Sequence, residues 1–437
     1  MRVLWICNQC VGQIAEKLNM PGSNKEGWLN GLFDALSAKD LQMDLGLCFP
    51  AEADYNNIVD DHDVFAFEED TEHPENYDPK MEERFGQIFS EFKPDIVHIF
   101  GTEYAHTLAA VRALRNPKKV LIGFQGVCNA LAKEYLTGVE EEWIHKNTFR
   151  DSLKSDNMEA QKKKFELRAA HESEALLLTG YVTGRTKLDL QYTKELNPNA
   201  KYLPLNETMR SIFYEGDEWE EDSMTKHGIF VSQCDYPIKG FHILVKALGL
   251  LKAEYPDFTV RVAGNTITGV GGLKKKILIP TYGKYLNELM KEEGVQEKIH
   301  FLGPVSAEEM KKEFLSCNVF VLPSVMENSP NCLAEALLLG VPSVASNVGG
   351  VSDIMPADCG FLYENNDPAL LADAIKTVFK DLDEGGMKTK ACVEKGKLRA
   401  FEKHNKDANV KRLLEMYQEI YQNDRVPERT SEPNGDL

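Results

Sequence analysis

The chain has 437 residues, enough for two or three domains that each bury a core of their own. Its 50 Lys and Arg against 69 Asp and Glu leave a formal charge of −19, which argues against general affinity for nucleic acid or anionic lipid. With 43% hydrophobic and 27% charged residues the composition is that of a folded globular protein, and no run reaches the 18 uncharged apolar residues that a membrane helix needs.

The chain starts with one charge and a strand-length apolar run, shorter than a secretory h-region, so a cytoplasmic protein is expected. From there, apolar runs and helical patterns alternate. Strands are predicted at residues 3–7, 43–48, 96–100 and 120–124. Between them lie stripes at three- and four-residue spacing, such as Leu29, Leu32, Phe33 and Leu36, and Leu108, Val111 and Leu114. Residues 52–83 hold 13 acids and one Lys and read as a solvated loop leading into a helix near Met81. An acidic, aperiodic stretch then marks a boundary over residues 206–227, separating a first domain at 1–205 from a second at 228–404. In the second domain, strands are predicted around Ile229, Phe258, Ile299, Val319 and Val344. An amphipathic helix is expected over 405–424, carried by Val410, Leu413, Leu414, Met416, Tyr417 and Ile420, and a disordered tail over 425–437. The fold class is α/β, with two tandem parallel-sheet domains and a cleft between them.

Several simple chemistries lose support. The nine cysteines are an odd number without framework spacing, and Cys7 and Cys10 read as two incidental thiols. No G-x-G-x-x-G follows the first strand and no G-x-x-x-x-G-K-[ST] occurs anywhere. Gly269, Gly271 and Gly272 read as an ordinary surface turn running into Lys274, Lys275 and Lys276. His98 and His106 lie among apolar residues and read as structural.

The informative segment runs from Ser324 to Gly340. It follows a predicted strand, so it lies outside the carboxyl end of a parallel sheet, where such folds bind ligands. Ser329, Pro330 and Asn331 start a helix that Gly340 stops, and its positive end faces the cleft, a site for a diphosphate. Glu327 before the helix and Glu335 inside it are poor phosphate ligands but good acceptors for vicinal hydroxyls. Lys239 and Gly240, at the start of the second domain's first helix, place an ammonium beside the same sheet. Sugar plus phosphate is one reading of this segment; an acidic loop before a routine helix is the other.

Glu327 and Glu335 seven residues apart, the run from Gly340 to Gly350, and Lys239-Gly240 upstream resemble the family 4 retaining glycosyltransferases of GT-B architecture. In the first half, residues 94–101, Phe124-Gln125-Gly126 and Gly184-Arg185-Thr186 are similar to members that build bacterial surface polysaccharides. The resemblance implies two facing Rossmann-like domains, a nucleotide diphosphate sugar held mainly by the second, and a saccharide or lipid-linked acceptor on the first. It implies no metal or other cofactor. It further implies that Glu335 accepts the ribose hydroxyls and Glu327 a hydroxyl of the transferred sugar. The donor set becomes Gly27, Gln233, Lys239, Glu327, Asn328, Ser329, Pro330, Asn331, Cys332, Leu333, Ala334 and Glu335, with Lys239 neutralising the leaving diphosphate.

Three positions depart from the family pattern: Glu26 for the first of two glycines before Trp28, Gln233 for an Arg, and Gln125 for a His. An amide still donates and accepts, so Gln125 joins Lys239 and Glu327 at the reacting centre as a binding group. Trp28 and Arg185 are further candidates, and Lys162 to Lys164 are candidates for weak peripheral membrane contact. The expected function is retaining sugar transfer in surface polysaccharide or glycan biosynthesis, at the inner face of the membrane or in the cytoplasm. A non-catalytic sugar-nucleotide-binding partner and a sugar-nucleotide epimerase are the alternatives.

Overall fold

The computed structural model describes residues 1–20, 27–39, 43–269, 277–364 and 366–425, and its strands form two separate sheets. The first contains β1 (Arg2–Ile6), β2 (Asp44–Ala51), β3 (Tyr55–Val59), β4 (His62–Glu68), β5 (Ile96–Phe100), β6 (Val120–Gly123), β7 (Tyr181–Gly184) and β8 (Lys201–Pro204), in the order β3-β4-β2-β1-β5-β6-β7-β8. The second contains β9 (Gly228–Val231), β10 (Thr259–Ala263), β11 (Ile299–Gly303), β12 (Val319–Leu322), β13 (Ser343–Ser346) and β14 (Phe361–Tyr363), in the order β11-β10-β9-β12-β13-β14. Every pairing is parallel except that of β3 with β4. The central strands are covered by helices on both faces, which is why they read as continuous apolar runs rather than alternating ones.

Crossover helices follow the predicted stripes. In the helix Lys80–Phe92, Met81, Phe85, Ile88, Phe89 and Phe92 all point inward at three- and four-residue spacing. Chain order reverses across the sheet between β1 and β5 in the first domain, and between β9 and β12 in the second. Those reversals open crevices at the carboxyl ends of the strands.

The expected loop at 52–83 is instead largely structured. β3 and β4 form a hairpin whose two-residue turn, Asp60 and Asp61, has positive φ at both positions (48° and 64°), the arrangement of a type I′ turn. Val64, Phe65, Ala66 and Phe67 of β4 are buried beside β2, so four apolar residues hidden among acids build core while the acids line the turn and edge.

The helix Lys406–Arg425 does not stay with the second domain that precedes it. It returns to the first, against the helix Gly27–Ser37 and β5. Val410, Leu413, Met416, Tyr417 and Ile420 are fully buried there. The Tyr417 hydroxyl accepts from Trp5 Nε1 at 2.7 Å and meets His98 Nδ1 at 2.7 Å. The helix thus completes the first domain's core by closing a chain separation of about 400 residues. Residues 426–437, expected to be disordered, and Lys274 to Lys276 lie outside the described residues.

Tyr417→Phe removes the partner of a buried indole N–H, so it should lower the unfolding free energy by about 1–3 kcal/mol. A shift of the chemical-denaturation midpoint at unchanged slope will show it; an unmoved midpoint would mean that the buried contact carries no net stability.

Candidate functional site

Two strand ends of the second sheet converge on one cluster. After β9, the chain runs through Ser232 and Gln233 into a single 3-10 turn, Pro237–Lys239, and then the helix Phe241–Leu251. Gly240 joins them with φ 65°, and a Cβ there would collide with the Pro323 carbonyl at the end of β12, so the turn can approach the neighbouring strand only with glycine. That approach brings Lys239 Nζ to 2.8 Å from Glu327 Oε1, which also accepts from Ser324 Oγ at 2.8 Å. Burial pulls the Lys239 pKa down, but the Glu327 carboxylate more than restores it, so the value ends above that of a free lysine and the ammonium is kept.

The helix Asn331–Leu338 begins beside this pair. Pro330 occupies its N-cap and makes no side-chain capping bond, while Gly340, at φ 73°, follows its end. Asn331 Oδ1 is buried without a partner at the helix start. Cys332 lies within the reach of Glu327, Lys239 and Ser232, and burial pushes its thiol up to about 11, so it is a neutral wall here. Leu333 and Ala334 are buried in the first turn. Gln233 is half-buried in the loop beneath.

Glu335 was expected to face a ribose, and it is committed to Arg210. The guanidinium donates to both carboxylate oxygens at 2.9 Å, and burial raises the Glu335 pKa against the pull of that arginine. Arg210 lies in the interdomain connection and passes over Gly27, where a Cβ would clash with its Cδ. The close approach that requires glycine at 27 is therefore made by a side chain of this protein.

Asn328 and Ser329 also differ from a pure donor-binding role, because their side chains reach across to the first domain. Asn328 accepts from Thr186 Oγ1 at 2.8 Å and donates to the Gln125 carbonyl at 2.9 Å. Ser329 donates to Glu207 at 3.1 Å. Gln125 sits at the cleft through its backbone, and its amide contacts Phe100 O and Asn8 at 3.4 Å.

Trp28 and Arg185 come together in the first domain. They line a cavity of about 300 Å³ at the ends of β5, β6 and β7, with His98, Phe100, Phe124 and Glu207. Arg185 pairs with Glu207 at 2.7 Å. Glu207 was not singled out in the sequence: one acid in an aperiodic connection carries no pattern. Burial raises its carboxyl to about 7 against the opposing pull of Arg185. His98 has one nitrogen on Tyr417 and the other, Nε2, without a partner in this cavity; burial lowers its pKa to about 3, so it is neutral. His106 bonds Glu69 at 2.8 Å and is structural.

Other candidates have local explanations. All nine cysteines are free, and burial lifts the Cys10 thiol to about 12, which leaves no thiolate for redox chemistry beside Cys7. Lys162, Lys163 and Lys164 lie within ion-pair distance of Glu166, Glu159 and Asp156, so their charge is locally balanced. Among the described residues no group of three or more His, Cys, Asp or Glu is placed to hold a metal ion, and no helix is long and apolar enough to cross a membrane. Two Asp-x-Asp spacings are used locally: Asp63 meets Arg2, Asp381 caps the N–H groups of Lys388 and Thr389, and Asp383 meets Lys226 and His227.

Comparison with known proteins agrees with this placement. Residues 217–399, which contain Lys239, Glu327 and Glu335, match the family model described as glycosyl transferases group 1. The chain therefore carries a glycosyltransferase group 1 domain. It is 30% identical over 148 residues to the D-inositol 3-phosphate glycosyltransferase of Corynebacterium urealyticum, covering 34% of this chain and 33% of the relative. It is 29% identical over 210 residues to an uncharacterized glycosyltransferase of Methanocaldococcus jannaschii, covering 48% and 47%. The matched stretch thus spans about a third to a half of these curated relatives. Among solved structures, sucrose-phosphate synthase from Thermosynechococcus elongatus superposes with a TM-score of 0.69 at 15% identity, covering 97% of this chain and 100% of that one. HepE of Anabaena in complex with UDP-glucose gives 0.60 at 15% identity, covering 97% and 99%. The architecture is GT-B: two facing parallel-sheet domains with the site at their seam.

Glu207 also supplies a pH test. Its folded pKa, about 7, lies above the ordinary carboxylate value of 4.5, so the folded state binds the proton more tightly. The stability this adds is full below pH 4.5 and is lost as pH rises through 7. Relative to a Glu207→Gln variant, which does not titrate, the wild type should lose unfolding free energy between pH 4.5 and 7. Parallel curves across that window would place the group elsewhere.

Proposed function

We propose that the protein transfers a sugar from a nucleotide diphosphate donor to a saccharide or lipid-linked saccharide acceptor, with retention at the anomeric carbon. The observation that carries this reading is the Lys239–Glu327 pair held at the N-terminus of the helix Asn331–Leu338, inside a glycosyltransferase group 1 domain. An ammonium and a helix dipole converge there on one point, a site suited to a diphosphate. Glu327 and Asn331 Oδ1 stand beside it as acceptors for sugar hydroxyls. HepE of Anabaena, a protein of the same fold, was solved with UDP-glucose, which supports a nucleotide sugar as donor.

In the proposed reaction the bond between the anomeric carbon and the diphosphate oxygen breaks as the acceptor oxygen bonds to the same face of that carbon. The acceptor proton passes to the departing diphosphate, and Lys239 stabilises the charge that develops there. No protein nucleophile and no metal takes part in this scheme. Gln125 orients the donor sugar and moves no proton. Glu335 binds the ribose once Arg210 releases a carboxylate oxygen, and the freed guanidinium faces the diphosphate that Gln233 cannot neutralise. Saccharide transfer at the inner face of the membrane fits this chemistry.

Lys239→Ala should lower turnover by roughly 10- to 150-fold, the equivalent of the 1.5–3 kcal/mol of a bond to a charged group, with little change in melting temperature. Unchanged turnover would remove Lys239 from the mechanism. Titration calorimetry with a panel of UDP-, GDP- and ADP-sugars should find the cognate donor, and Glu335→Ala should weaken it at least tenfold; equal affinity would end the ribose role.

A further inference from the structure

A second polar groove lies on the other side of Lys239. The helices Phe149–Lys154 and Met158–Leu177 of the first domain meet the loops after β9 and β10 there, enclosing about 670 Å³ of empty space. Its size is that of a small-molecule site. Tyr236 caps the turn that carries Lys239, three residues away, so the two Cα atoms are at most about 11 Å apart. The groove therefore opens beside the proposed reacting centre.

Its lining selects a particular chemistry. Asp235 Oδ2 accepts from Asn265 at 3.0 Å, but Oδ1 is buried without a partner. A buried carboxylate oxygen left in this state gains free energy from any donor that reaches it. The one guanidinium in the groove is already committed: Arg150 meets Asp151 at 3.0 Å and Asp156 at 3.1 Å. Asp156 is further balanced by Lys164 at 3.2 Å. No uncommitted cation remains among the lining residues to receive a phosphate, and Asp235 repels one. Tyr236 exposes 42% of its surface and offers a ring face, while Ile267, Pro280 and Met158 supply apolar floor. Asp151, buried between Thr148 and Thr281, holds the two domains' walls together by accepting from Thr281 N at 2.8 Å.

We propose that this groove binds a neutral, hydroxyl-rich sugar ring of the acceptor, with Asp235 receiving its hydroxyls and Tyr236 stacking on its face. The assignment rests on the transferase reading. It separates this protein from relatives named for an inositol phosphate, because a phosphorylated ring finds no free cation in the groove.

Saturation-transfer NMR on the full chain, with methyl glucoside, methyl galactoside, methyl mannoside, glucosamine and glucose 1-phosphate as probes, tests it. At least one neutral glycoside should give signal, and Tyr236→Ala and Asp235→Asn should each reduce it at least fivefold. UDP, GDP or ADP binding by calorimetry should stay within threefold in both variants. No glycoside signal, an undiminished signal in the variants, or preference for glucosamine or glucose 1-phosphate overturns the groove assignment. Failure of every nucleotide to bind the wild type overturns the donor site instead, and the glycoside signals still judge the groove. Tyr236 is exposed, so its variant reports on binding even where the Asp235 variant folds poorly.

Discussion

Lys239 and Glu327 meet at 2.8 Å between the ends of β9 and β12, and the second domain's side of the cleft is arranged around that contact. A half-buried ammonium alone would shed its proton, and a half-buried carboxylate alone would take one up. Together each keeps the other charged, at a desolvation cost that only good geometry repays. Gly240 supplies that geometry, because it lets the Lys239 turn press against the backbone after β12. Ser324 then fixes the carboxylate from the other side. In the proposed function a diphosphate arriving at Lys239 takes over part of the neutralisation, which releases Glu327 to accept hydroxyls. The resting pair thus stores both charges in the state the reaction needs.

The seam between the domains has two characters. At its back, Phe213 of the connection packs edge-on against Phe314, and the helix Lys406–Arg425 crosses back into the first domain's core. These contacts are apolar and separate only at a large cost in exposed area. At the mouth, the cross-domain contacts are polar: Thr186 with Asn328, Glu207 with Ser329, Arg210 with Glu335, and the Lys187 amide with Asp353 at 2.7 Å. Water or a ligand can replace such bonds at small net cost. A fixed back and an exchangeable mouth make a cleft that opens at one side. Arg210 belongs to both, since it stacks on Phe213 while it holds Glu335.

Most of the fold was legible because parallel strands buried on both faces leave unmistakable apolar runs, as at Ile96–Phe100 and Val319–Leu322, where prediction and structure coincide. The hairpin of β3 and β4 was masked by its own turn and flanks, whose acids outweighed the four apolar residues of β4 in any window average. Strands β7, β8 and β14 have only three or four residues each, too few for a period to register. Tyr417 shows the limit of periodicity: its spacing placed it on an inward face, but Trp5 and His98 are brought to it by topology alone. In the site, Lys239 and Glu327 could be paired from motif spacing, because both follow strand ends of one sheet. The Arg210–Glu335 and Arg185–Glu207 pairs could not, since each joins residues from unpatterned connections to partners set by the interdomain geometry.

The distribution of acid explains how a chain of charge −19 accommodates an anionic donor. Much of the acid in residues 52–83 lies at the turn and flanks of the hairpin that closes one edge of the first sheet, where polar and charged groups discourage strand addition from another molecule. Exposed charges more than about 8 Å from a ligand are largely screened at physiological ionic strength. The remote acids therefore contribute repulsion mainly to the encounter, and what decides binding is the ammonium of Lys239 and the free end of the helix Asn331–Leu338. Cleft polarity then divides by position: a cation and a dipole face the diphosphate, and a few ångströms away the committed Arg150 and the unpartnered Asp235 turn the neighbouring groove toward neutral hydroxyls. Charge commitment, more than charge count, separates the two.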